Sequence, residues 1–94
     1  MVLYRAVSMP ELLDIQTSQA FRTMPGQMEG KWFAERVEEA VQWGRVLYGG
    51  HFTIVRAHVP DSMADRLFRL PMINAIGPAR FIEGTDLTRI KPLL

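Results

Sequence analysis

The chain has 94 residues, of which 48% are hydrophobic and 22% charged, with eleven Lys/Arg against ten Asp/Glu and no cysteine. That composition fits one folded domain, because a second core needs roughly 100 residues of its own, and it excludes a disordered tail. A formal charge of +1 argues against wholesale binding to nucleic acid or anionic lipid, and the lack of cysteine excludes disulfides, thiolate metal sites and cysteine catalysis.

No apolar run approaches the ~20 residues of a membrane helix, and no basic-then-apolar leader opens the chain. A soluble protein, cytoplasmic at synthesis and starting as an independent product at Met1, is therefore expected.

Val2 to Val7 predicts a first strand, rich in β-branched and aromatic residues. Ser8-Met9-Pro10-Glu11 reads as a capping box: Ser8 accepts the Glu11 amide, and the Glu11 carboxylate reaches back to the Ser8 amide. Pro10 lies in the first turn, where a missing N–H costs nothing. With Val7 and Leu12 as a hydrophobic staple, a short helix is expected over residues 9 to 17. Thr23 to Gly30, with Pro25 and Gly26, predicts a loop, and Lys31 to Ala34 a second strand.

From Glu35 the period changes. Val37, Ala40, Val41, Gly44, Leu47 and Tyr48 fall on one stripe and Arg36, Glu38, Glu39, Gln42 and Arg45 largely opposite, giving an amphipathic helix ended by Gly49-Gly50. Phe52 to Val59 predicts a strand with Val55, Ala57 and Val59 on one face and Arg56 and His58 at the wet end of the other. Met63, Leu67 and Leu70 are spaced as a short helix capped from Ser62 and stopped by Pro71. Pro71 to Pro78, with Asn74 and Gly77, is a loop. Ala79 to Glu83 is a strand, Gly84 a turn, and Leu87 to Ile90 a last short element of either type. The class implied is α+β: one small mixed sheet with two to three short helices packed against it.

Most constellations that carry chemistry are absent. There is no Gly-rich phosphate loop, and His51 and His58 are joined by no third His or Cys, so no metal site is expected. Ser8 is explained by its cap, and Glu38 and Glu39 read as a solvated helix face. Three features stand out. Arg5 sits within an apolar strand, where a guanidinium is costly unless it is paired (with Glu29, Glu83 or Asp86) or faces a cleft. Gly30-Lys31-Trp32-Phe33-Ala34 sets an aromatic pair beside a glycine at a strand mouth, as core packing or as a stacking surface. Glu83 ends the last strong strand, immediately before Gly84.

In their order, Tyr4-Arg5 on the first strand, Glu29 to Ala34 running into Ala40-x-x-Trp43-Gly44, the strand Phe52 to Val59 and the strand Ala79 to Glu83 resemble a compact ADP-ribosyltransferase-like domain of bacterial and phage toxins. The segment from Phe33-Ala34 to Trp43-Gly44 is the most specific part. The resemblance implies a split, strongly bent sheet with NAD, as substrate, in its cleft. It implies that Arg5 binds the pyrophosphate or the nicotinamide ribose through charge-assisted hydrogen bonds and that Trp32 or Phe33 stacks on the nicotinamide. Glu83 would be the catalytic carboxylate, bonding the ribose 2′-hydroxyl and stabilising the positive charge that develops as nicotinamide leaves. Trp32-Phe33-Ala34 stands where the family usually has Ser-Thr-Ser, and Phe81 where a second acid or glutamine would accompany Glu83. A protein acceptor is implied, met in the cytoplasm of the producing cell or of a target cell.

A reading from another class is a non-catalytic protein-binding module, such as a phage-encoded inhibitor or antitoxin-like partner. It would cover a partner's surface with the six methionines and with Trp32, Trp43 and Tyr48. A nucleic-acid binder would lean on Arg66, Arg69, Arg80, Arg89 and Lys91, which Asp61, Asp65, Glu83 and Asp86 offset.

Overall fold

The computed structural model describes residues 1–23, 30–73 and 75–94; Pro25, Gly26 and Glu29 of the first expected loop and Asn74 of the second lie outside the described residues. The elements are β1 (Val2–Val7), α1 (Met9–Ser18), β2 (Gly30–Ala34), α2 (Val37–Tyr48), β3 (Thr53–His58), α3 (Asp61–Ala64), β4 (Phe68–Leu70), β5 (Ala79–Glu83), α4 (Gly84–Leu87) and β6 (Lys91–Leu93). The class is α+β. The strands form one six-stranded sheet in the order β4-β5-β2-β1-β3-β6, and every pairing in it is antiparallel rather than mixed.

α1 starts as its sequence dictates, with the Ser8 hydroxyl accepting the Glu11 amide at 3.5 Å and Pro10 in the first turn. α2 carries Glu38 and Glu39 in its first turn, where the helix dipole favours acids, and stops at Gly49, whose φ of 67° suits a residue without a side chain. The expected helix from Ser62 to Leu70 is corrected. α3 closes after one turn, and Phe68–Leu70 forms an edge strand whose residues pair with Phe81, Arg80 and Ala79 of β5. Pairing with β5 gives that backbone partners that a second helical turn would have supplied. The last element is the single turn α4 followed by β6, which borders β3.

Strand alternation sorts the two faces of the sheet. Leu3, Val7, Phe33, Val55, Ala57 and Ile82 are buried on one face, packed with Ile15 of α1, Met63 of α3, Leu87 of α4 and with Phe21 and Ile90. α2 packs against β1, β2 and β3 over the face that carries Tyr4, Ala6, Trp32 and Ala34. Ala40 and Gly44 are its buried positions. Gly44 lies so close to Phe52 that an added Cβ would stand 2.6 Å from the ring's Cγ.

The ladder is not continuous across the sheet. β1 and β3 share register from Val2↔His58 to Val7↔Thr53, and β2 and β5 from Gly30↔Glu83 to Ala34↔Ala79. β1 and β2 share only Tyr4↔Ala34. Two three-stranded halves, β4-β5-β2 and β1-β3-β6, are thus joined at one register position. Among the described residues, no helix is long and apolar enough to cross a membrane.

Candidate functional site

Between the two halves, beneath α2, lies a cavity of about 300 Å³. Its walls are Tyr4, Arg5 and Ala6 of β1, Gly30 to Ala34 of β2, and Ala40, Trp43 and Leu47 of α2, with Ile73 and Ala79 closing one side. Three of the four residues singled out from the sequence, Arg5, Trp32 and Phe33, line it together. Glu83 does not line it. It stands exposed at the end of β5, across the ladder from the lining residue Gly30 and on the same face as Trp32. Alternation places Arg5 in the row of Leu3 and Val7, and Arg5 is among the residues that line the cavity where β1 and β2 part.

Arg5 is paired, and its partner is Glu11. Nε donates to Oε2 at 2.7 Å and Nη2 to Oε1 at 3.0 Å, while Nη1 donates to the Trp32 carbonyl at 2.9 Å. This corrects the partners expected from the sequence: Asp86 is held by Arg66 and Arg89, Glu83 is at the surface, and Glu29 is outside the described residues. α1 follows β1 after a single residue, so its first turn lies over the strand it has just left and brings Glu11 to Arg5. The Glu11 carboxylate therefore serves the guanidinium and not the Ser8 amide, and only half of the capping box forms.

Lys31 is the residue that sequence reasoning missed. Its ammonium lies 3.4 Å from Glu11 Oε2, with 10% of its side chain exposed, against 18% for Arg5 and 16% for Glu11. Burial lowers the Lys31 pKa, and repulsion from Arg5 lowers it further, against the opposing pull of Glu11. Burial acts to raise the Glu11 pKa, but the hydrogen bond and charge of Arg5, with the charge of Lys31, outweigh it and hold the carboxyl below its ordinary range. The one available signal was position: Lys31 follows a glycine at the mouth of the strand beside that of Arg5.

The aromatic walls differ in openness. Phe33 is buried and meets Phe21 edge-on at 5.1 Å, with the Arg5 guanidinium 5.9 Å from its ring centroid. Trp32 is half-buried in a row with Phe81 at 5.1 Å and Phe68 at 6.1 Å. Gly30 makes room for this row, since an added Cβ would lie 2.6 Å from Phe81 Cζ.

Two acidic positions outside the cavity complete the electrostatics. Glu35 accepts from Arg69 Nε at 2.7 Å and from Arg80 Nε at 2.6 Å, and Arg80 also donates to the Ala64 carbonyl at 2.8 Å. Glu39, expected on a solvated face, is half-buried against Gly77 (φ 117°), and its Oε1 is buried with no partner among the described residues. His51 and His58 are exposed, and among the described residues no group of three His, Asp or Glu is placed to hold a metal ion. Compared with protein-family models, with curated proteins and with solved structures, the chain matches none.

Proposed function

We propose that the chain is an NAD-consuming enzyme, an ADP-ribosyltransferase or NAD glycohydrolase of the toxin-effector type, whose nicotinamide end enters the cavity between β1 and β2. The observation that carries this reading is the meeting of Arg5 with the aromatic residues Trp32 and Trp43 around one space between two half-sheets. A volume of about 300 Å³ lies at the small end of ligand pockets, which run from about 300 to 1,000 Å³. It suits a planar ring with its sugar, the rest of the dinucleotide lying outside along the surface.

In the proposed reaction the bond between the ribose anomeric carbon and the nicotinamide nitrogen breaks, and its electron pair leaves with the nitrogen, neutralising the pyridinium. A lone pair from a protein acceptor, or from water, then bonds to the anomeric carbon and gives up its proton. A fixed carboxylate lowers the barrier by opposing the positive charge on the sugar. Glu83 suits this role: it is across the ladder from Gly30 at the cavity's edge and makes no ion pair among the described residues. Trp32 offers the open aromatic face for the ring. Arg66, Arg69, Arg80 and Arg89 are each engaged with Glu35 or Asp86, which favours a protein acceptor over nucleic acid. The place of action proposed is a cytoplasm, the producing cell's or a target's.

Calorimetric titration with NAD and a nicotinamide-release assay test the reading. Arg5→Ala is expected to weaken NAD binding, and Glu83→Gln to lower turnover by roughly 10²-fold or more, the scale of one lost transition-state electrostatic contact. Unchanged turnover in Glu83→Gln removes that residue from the mechanism. Absence of NAD binding in the wild type removes the enzyme and leaves the protein-binding module, for which Val46, Leu47, Phe68 and Met72 are among the exposed apolar side chains. Co-purification with a partner that survives both substitutions then identifies it.

A further inference from the structure

Two cations, Arg5 and Lys31, share one carboxylate, Glu11, in half-buried surroundings. The next charges, Asp14 and Arg22, satisfy each other, so among the described residues the group keeps an excess of one positive charge. Uncompensated charge held away from water is expensive, and the donor count shows where it is open. A guanidinium has five N–H donors in a rigid fork. Glu11 takes one from Nε and one from Nη2, and the Trp32 carbonyl takes one from Nη1. One donor on each terminal nitrogen is left, and a phosphate oxygen is the kind of acceptor such charged donors favour. The Lys31 ammonium has three donors and, among the described residues, Glu11 at 3.4 Å as its ion-pair partner. Arg5 and Lys31 both line the cavity, whereas Glu11 does not.

We propose that Lys31 and the two remaining donors of Arg5 form an anion seat on the cavity wall that takes the diphosphate of a nucleotide ligand, with Glu11 holding both cations in place from the α1 side. Lys31 is the second half of the seat. The choice of a diphosphate rests on the dinucleotide reading, since the aromatic walls beside the seat ask for an anion joined to a planar ring. Lys31→Gln leaves one cation against one carboxylate, a balanced pair, so the fold is expected to persist.

The test is binding of ADP, inorganic pyrophosphate and adenosine to wild type, Lys31→Gln and Lys31→Arg by calorimetry, at constant ionic strength set with sodium chloride. Lys31→Gln is expected to weaken ADP and pyrophosphate by roughly tenfold or more, the scale of one charged hydrogen bond, and to leave adenosine unchanged. Lys31→Arg is expected to recover most of the loss. Equal ADP affinity in wild type and Lys31→Gln, or ADP no tighter than adenosine, overturns the seat. Should Lys31→Gln fail to fold, the wild-type melting temperature decides: a rise with ADP that adenosine does not give supports the seat, and equal rises overturn it. ADP binding that depends on Lys31, found without nicotinamide release from NAD, refutes the transfer reaction and leaves the seat standing.

Discussion

At Gly44 a single missing side chain sets how closely α2 approaches the sheet. Alanine there gains helix propensity, about 1 kcal/mol, but its methyl would press on the Phe52 ring, and overpacking costs about 1–3 kcal/mol. Gly44→Ala is therefore expected to be net destabilising, by up to about 2 kcal/mol, in urea unfolding; a stabilised variant would show that the Phe52 ring yields freely. The same scale decides how far the site was legible. Arg5 was conspicuous because a guanidinium in an apolar strand demands a partner. The partner was hidden because Glu11 already had a local role in the capping box, and sequence cannot tell which of two claims on one carboxylate wins. Lys31 was hidden for the opposite reason: a lysine at a strand end has an ordinary explanation in solvent.

Among elements, β1, α1, α2, β3 and β5 announce themselves because each is long enough to show a period or carries a cap. β4 and β6 have 3 residues each, too few for any alternation, and the spacing of Met63, Leu67 and Leu70 imitates a helix. What holds β4 in place is also non-local. Its pairing with β5 sets Arg69 directly opposite Arg80, a like-charge pair that destabilises a sheet unless something neutralises it. Glu35, from the link between β2 and α2, bonds to both, and its carboxyl is held below the usual range, chiefly by the Arg69 hydrogen bond. Glu35→Ala is expected to lower the urea midpoint more than Arg69→Ala does, because it frees two cations and leaves Arg80 half-buried beside a like charge. Equal losses in the two variants would show that the pairing of Arg69 with Arg80 needs no mediator.

Over the whole molecule these carboxyls give stability a common pH dependence. Glu11, Asp14 and Glu35 all have lowered folded-state pKa values, so the unfolded chain binds protons more readily than the folded one. Their contribution is complete above the ordinary carboxylate range and is lost as pH falls through their folded values. Thermal unfolding followed from neutral pH into acid should show a falling melting temperature, with a shallower fall in Glu11→Gln; an unchanged slope in that variant would mean that Glu11 titrates alike in both states. Lys31, whose folded pKa is also lowered, acts in the same direction at the alkaline end, where losing its proton relieves the buried charge.

The single junction Tyr4↔Ala34 has an evolutionary consequence. Past it, the inner borders of β1 and β2 are main chain that the two strands do not pair with each other, and peptide groups are the same whatever residue carries them. A crevice framed in this way keeps its shape while most of the letters around it drift, so long as a few charged and aromatic positions stay. Descendants of one ancestor built on such a frame can diverge beyond recognition by sequence and still keep the same crevice.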